Sequence, residues 1–451
     1  VRPAARRSVP ALLVSLCALV VAALLAAPGA LAAPRRSQQG TEGQATPTEQ
    51  SPTGQRTSVP CPNHDRPPAP VDTSEEPKPG QRSPEPLPIP EEPVGGTRMG
   101  ECGLVVPSGA DAPPAGDVTA ASWVLSDLDT GDVIAAKDPH TRERPASLIK
   151  ALLAVVVIRN LDLDEQVVGT QEDAEQEGTR IGLGPGGEYT VRQLLFSLVM
   201  RSGNDAAHAL AVKLGGVDEA LEKMNALARE LGALDTRAAT PSGLDGPGMS
   251  TSAYDLSLVF RAAMKHREFA EAVATKSIDF PGYPGKAGFK VYNDNKLLGT
   301  YEGFLGGKTG FTDDARHTYL GAAERDGHRL AVVVLRGELN PAPVATQAAK
   351  LLDYGFALKA DRAAPVGKLV DKAPDAQPKP EGGLETETTD AATADGTTAI
   401  GPTADADRSA FGSYGVPLVA AAGVGLLVAL VMWLRKKRAK AARAARMAAQ
   451  G

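Results

Sequence analysis

Between Val118 and Lys137 the chain carries two short apolar runs, Ser122–Leu128 and Val133–Ala136, on either side of Asp129-Thr130-Gly131-Asp132. That spacing predicts a hairpin with a glycine in its turn. The pattern then changes. Ala151–Ile158 is an unbroken apolar run, as expected of a helix buried on every side. Leu194, Leu195, Leu198 and Val199 fall on one face of a helix over Thr190–Met200. Further helices are predicted over Asp205–Lys213, over Asp218–Leu231, where Gly232 closes the helix, and over Ala253–Lys265. Strand patterns return at Lys308–Thr312, His317–Ala323 and Arg329–Leu335, separated by polar and glycine turns such as Glu324-Arg325-Asp326-Gly327. Ala345–Phe356 reads as a closing helix. The order of strands, helices, strands and helix over about 240 residues predicts one α+β domain, an antiparallel sheet flanked by helices with a helical subdomain.

Both ends depart from this pattern. Arg2, Arg6 and Arg7 precede an apolar run from Ala11 to Ala27, and Ala30-Leu31-Ala32 has the small residues of a cleavage site, so residues 1–32 read as a secretory signal. Residues 33–109 are rich in Pro, Gln, Glu and Ser and read as a semi-extended, extracytoplasmic linker ahead of a globular domain at 110–360. A second linker, 361–413, leads to Val416–Leu434, which has no charged residue and would reach about 28 Å as a helix. The basic tail at 435–451 follows, with Arg435, Lys436, Lys437 and Arg438 at its start, and it belongs on the cytoplasmic side. The expected protein is a single-pass membrane protein with its globular domain outside the cell.

Composition adds little beyond this. The net charge is -6, and no basic patch is interleaved with aromatics, so nucleic acid is not an expected partner. Cys17 falls in the signal. Cys61 and Cys102 remain as a pair that an oxidising compartment would allow to join, although sequence does not establish the bond. His64 lies near Cys61 without a second close pair of ligands, and no metal or cofactor is expected.

Three short motifs stand in order: Ser147-x-x-Lys150, Ser202-Gly203-Asn204 and Lys308-Thr309-Gly310. Each has an ordinary reading by itself, as a helix cap, a helix stop and a solvated strand end. Chemistry gives the first another. A serine hydroxyl becomes a nucleophile when a base takes its proton, and a lysine one helical turn away can be that base if burial or another cation lowers its pKa. The joint occurrence of the three motifs, with a helix after the first and a strand at the third, carries the functional reading.

With these motifs the sequence resembles the serine D-alanyl-D-alanine carboxypeptidases, the low-molecular-mass penicillin-binding proteins, and particularly their actinobacterial members. The resemblance runs from about residue 110 to 360 and includes Arg144-Pro145-Ala146, Thr240-Pro241-Ser242-Gly243-Leu244-Asp245 and Asn293-x-Asn295. It implies the serine β-lactamase/penicillin-binding-protein fold. It also implies a substrate, peptidoglycan stem peptides ending in D-Ala-D-Ala, and β-lactams as covalent inhibitors. Ser147 would be the nucleophile, Lys150 its base and Ser202 the proton relay to the leaving D-alanine. Asn204, Lys308, Thr309, Gly310 and Phe311 would bind substrate, with the Ser147 and Phe311 backbone NH groups as the oxyanion hole. Asp205, His208 and Arg316 read as structural. Members of the family often carry a carboxylate-binding arginine before the last helix, and Leu339–Val344 has none, which leaves Arg336 as a candidate substitute. Three rivals share much of this reading: a transpeptidase or endopeptidase, a β-lactamase, and a catalytically silent wall-binding protein. The Glu-x-x-Leu-Asn pattern of fast β-lactam hydrolysis is absent after Ser202.

Overall fold

The computed structural model describes residues 61–374. The short strand β1 (Leu104–Val105) is followed by the predicted hairpin, β2 (Ser122–Asp127) and β3 (Asp132–Lys137). Gly131 makes its turn at φ 75°, where a side chain would be strained. Helix α1 (Lys150–Asn160) comes next, then β4 (Gln166–Val168), α2 (Gln171–Glu175) and β5 (Glu188–Thr190). The helical part continues with α3 (Val191–Arg201), α4 (Asn204–Lys213), α5 (Val217–Glu230), α6 (Ala253–Met264) and α7 (Arg267–Ala274). After the small ribbon β6 (Ser277–Phe280) and β7 (Phe289–Tyr292) come β8 (Phe304–Thr312), β9 (Arg316–Arg325) and β10 (His328–Gly337), then α8 (Val344–Ala360) and β11 (Gly367–Lys368). Local chemistry sets several boundaries. Thr190, predicted inside α3, is its N-cap: its hydroxyl accepts from Gln193 N while the Gln193 side chain returns to the Thr190 NH.

The main sheet has the order β1-β3-β2-β10-β9-β8, with β11 also pairing β3, and its described pairings are antiparallel. It separates two cores. Along β10, Ala331, Val333 and Leu335 face one core, while Leu330, Val332 and Val334 face the other. The period-2 alternation of a strand is therefore present but hidden in the sequence, because helices cover both faces. Helix α8 covers one face through Val344, Ala348, Leu351 and Leu352. On the other, α1 is buried along Lys150–Val157, as its continuous apolar run predicts. Strand β8 lies at the free edge, which positions its Lys308-Thr309-Gly310 segment against the start of α1.

Two expectations are corrected. Residues 61–109, read as a linker, are largely irregular but lie along the domain as a strap. Val94 and Met99 are buried in the main core, and Arg142 donates to the backbone carbonyls of Asp65 (2.8 Å), Leu87 (2.7 Å) and Pro88 (3.0 Å). Prolines cannot donate NH groups, so such a strand-poor segment is held by side chains reaching for its carbonyls. The domain also continues past 360: Val366 and Leu369 are buried and β11 joins the sheet. The predicted signal, the predicted membrane span 416–434, the basic tail and most of the second linker lie outside the described residues. Among the described residues no helix is long and apolar enough to cross a membrane.

Cys61 and Cys102, 41 positions apart in sequence, are joined, with Cα atoms 5.3 Å apart. Closing a loop of that size stabilises by about 4 kcal/mol through the unfolded chain. Reduction is expected to lower the thermal midpoint; an unchanged midpoint in dithiothreitol would show that the bond does not constrain folding.

Candidate active site

Ser147 does not cap the helix. It lies in a 3₁₀ turn, Ala146–Ile149, that leads into α1 and makes no side-chain capping bond. Ala146 before it sits at φ 47°, in the left-handed region that costs an alanine about 1 kcal/mol or more. The surroundings hold it there. Thr318 Oγ1 donates to Pro145 O at 3.0 Å, and a Cβ on Gly243 would come within 2.0 Å of Ala146 O. The result is a partly exposed serine on an otherwise buried segment.

Lys150, the first residue of α1, has no exposed surface. Its Nζ lies 2.9 Å from Ser147 Oγ and 2.7 Å from Asn204 Oδ1, and it also bonds the Ser242 carbonyl. Burial first, and the charge of Lys308 second, hold its ammonium well below the ordinary lysine range, against the pull of Asp205 and Asp294. A neutral amine fits these three contacts. Two hydrogens serve Asn204 and Ser242, and the lone pair is left for the serine proton. Lys308 is buried as well. Its Nζ donates to Thr309 O at 2.6 Å, and desolvation pulls its pKa to about 8 although Asp294 opposes the shift.

The second motif closes α3. Ser202 takes the left-handed turn itself, at φ 65°, and its Oγ is buried with no hydrogen-bond partner among the described residues. Gly203 has an ordinary φ of -58°; it is glycine because a Cβ would meet Ile181 Cγ1 at 2.5 Å. Asn204 is fixed from two sides, accepting from Lys150 and donating from Nδ2 to Glu177 O at 2.6 Å. Asp205 holds the neighbouring loop by accepting from the backbone NH groups of Ile181, Gly182 and Leu183. His208 Nδ1 pairs with Asp173 at 2.6 Å.

On β8, Gly310 is small for a packing reason. Room for a substrate strand is not what it supplies, since its Cβ would point inward at Thr318 Oγ1 (2.4 Å), Ser147 N (3.0 Å) and Ala146 Cβ (3.1 Å). The glycine lets the serine segment close onto the strand. Phe311 is half-exposed, with its ring 4.6 Å from that of His317 and 6.0 Å from the Arg316 guanidinium. Thr309 Oγ1 donates to Asp294 Oδ1 at 3.2 Å. Asp294 is a residue that sequence reasoning passed over as the variable position between Asn293 and Asn295. The Ser242 carbonyl was missed likewise, because a backbone acceptor carries no side-chain signature. Arg336 is engaged elsewhere, donating to Asp314 O at 3.0 Å with Glu143 at 3.9 Å.

The three motifs thus meet in one place, linked by Lys150 to Ser147 and Asn204 and by Gly310 to the Ser147 backbone. A sheet with this edge strand facing a serine–lysine pair is the fold of the penicillin-binding DD-peptidases. A solved D-alanyl-D-alanine carboxypeptidase from Mycobacterium tuberculosis H37Rv superposes with a TM-score of 0.56 at 45% identity, over 59% of this chain and 100% of that one. The Streptomyces K15 DD-transpeptidase does so with a TM-score of 0.51 at 31% identity, over 53% and 98%.

In sequence, the D-alanyl-D-alanine carboxypeptidase DacB2 of M. tuberculosis is 46% identical over 269 residues, 58% of this chain and 91% of the relative. The chain belongs to the D-alanyl-D-alanine carboxypeptidase family Peptidase_S11, which matches residues 108–338.

Proposed function

We propose that the protein is a serine-type carboxypeptidase that removes the terminal D-alanine of peptidoglycan stem pentapeptides through an ester on Ser147. The observation that carries this reading is a buried, pKa-depressed lysine 2.9 Å from a partly exposed serine hydroxyl. Ser147 Oγ attacks the carbonyl of the penultimate D-alanine and passes its proton to Lys150. The oxyanion is met by the backbone NH groups of Ser147 and Phe311. As the C–N bond breaks, Ser202 relays the proton to the leaving amine. Lys308 keeps the field positive beside it, and Thr309 receives the terminal carboxylate. Water then attacks the ester, the acid is released and Ser147 regains its proton. Asn204 holds Lys150 in line and binds the substrate amide.

A β-lactam would acylate Ser147 by the same attack, and without a glutamate-activated water it would leave slowly. Incubation with a pentapeptide ending in D-Ala-D-Ala tests the reading. Free D-alanine without cross-linked product is expected; a dimeric product would assign the protein as a transpeptidase, and penicillin labelling without turnover would leave it a binding protein. We further propose export of the enzyme and anchoring by 416–434, supported by that uncharged run and its basic flank. A chain ending at 413 should leave the membrane fraction, and one that stays would sink the anchor.

The two lysines also set a pH profile. Lys150 acts as base only when neutral, so acylation by penicillin should rise with pH through its depressed pKa. Lys308 acts only when charged, so the rate should fall again above about 8. A rate that keeps climbing well above that pH would remove Lys308 from the mechanism.

A further inference from the structure

The strap before residue 108 lies outside the stretch matched by the peptidase family, yet it grips the segment that delivers the nucleophile. Arg142 and Arg144 stand five and three residues ahead of Ser147, and both are buried. Arg142 holds strap carbonyls, as described above. Arg144 makes a forked bond to Glu75 of the strap, through Nε to Oε1 and through Nη2 to Oε2 at 2.8 Å. Its Nη1 is buried with no hydrogen-bond partner among the described residues. Two other carboxylates lie at hand: oxygens of Glu75, Asp245 and Asp314 all fall within 4.8 Å of one another. Asp245 accepts from Thr312 Oγ1 at 3.0 Å, at the outer end of the β8 edge strand, and Asp314 accepts from the strap's Val71 NH.

We propose that Glu75 is a positioning residue of the reaction: by occupying Arg144 it fixes both the Arg144–Ser147 segment and, through Asp245 and Thr312, the outer end of the substrate-binding edge strand. This rests on the assignment of Ser147 as the nucleophile. The physical ground is competition for one guanidinium. A buried Arg144 deprived of Glu75 would not stay unpaired, because an orphaned buried charge is costly. Asp245 and Asp314 are its available partners. Pairing with Asp245 would draw that carboxylate from Thr312 and pull on a segment in which Ala146 is already held at a strained φ. The fold would survive this exchange, and the alignment of Ser147 Oγ with Lys150 and the edge strand would not. Glu75 touches no substrate; it acts through Arg144.

The test uses the protein with its strap intact and fluorescent penicillin as the probe. Glu75→Ala is expected to acylate on the order of tenfold more slowly, the scale of a sub-ångström misalignment. Its circular dichroism spectrum should remain that of a folded protein. The strap and domain form a half-open pocket of about 550 Å³ lined by both Glu75 and Arg144, so added acetate can reach the vacated position. Acetate should restore much of the rate, where chloride at equal ionic strength does not; a purely structural role would show no such selectivity. A wild-type rate in Glu75→Ala overturns the proposal, as does a loss that acetate cannot relieve better than chloride. If the alanine variant fails to fold, the isosteric Glu75→Gln decides, with a wild-type rate refuting the proposal and a comparable loss supporting it. Ser147→Ala, run alongside, separates the two ideas. Continued covalent labelling there would defeat the nucleophile assignment, whereas a null result at Glu75 leaves that assignment standing.

Discussion

Replacement of Ser147 by alanine is expected to end covalent capture of penicillin and to lower release of D-alanine by at least about a thousandfold. The loss is that large because the ester cannot form without the hydroxyl, and no other group is placed to accept the acyl chain. Ser202 Oγ is buried and makes no hydrogen bond to a base among the described residues. The fold should be untouched, since Ser147 is partly exposed and caps no helix. Intact-protein mass spectrometry after incubation with penicillin reads the result directly. A variant that still gains the mass of the drug would mean that another atom is the nucleophile.

The second large effect is expected at Lys150. Lys150→Met keeps a similar length and removes the amine, and acylation should fall by about a thousandfold, within the usual range for loss of a general base. Stability should move far less than the rate. Methionine relieves the cost of burying an amine at a site with no exposed surface, while Asn204 Oδ1 and the Ser242 carbonyl lose their donor, at about 1–3 kcal/mol each. The two changes oppose each other. Denaturant unfolding together with stopped-flow acylation separates them: a near-native rate in Lys150→Met would dismiss it as the base, and a collapse of the fold would mark it as a packing residue instead.

Much of this site was legible because its chemistry is carried by side chains at short, fixed spacing. Ser147 and Lys150 are one turn apart, so any helix beginning there brings them together. The helices were legible for a related reason: the run at Ala151–Ile158 and the face Leu194, Leu195, Leu198 and Val199 carry their burial in their order. The strap was misread because its composition is that of an unfolded segment. Proline-rich chain has few apolar side chains of its own to bury, and here it is held largely by Arg142, Arg144 and the Cys61–Cys102 bond, partners 40 or more residues away from much of it.

Sequence by itself determined the class of fold, the three motifs and the candidate nucleophile and base, because alternation, periodicity and local spacing are properties of neighbours in the chain. Only the tertiary structure decided the places of Gly310, Gly203, Ser242 and Asp294 and brought Glu75 to Arg144. Gly310 is small for the sake of Ser147 N, Gly203 for the sake of Ile181, and Asp294 matters through Thr309. Lys150 owes its depressed pKa to burial and to Lys308, a residue more than 150 positions further along. Packing and electric fields act through space, and a linear order of residues does not record which distant groups the fold will make neighbours.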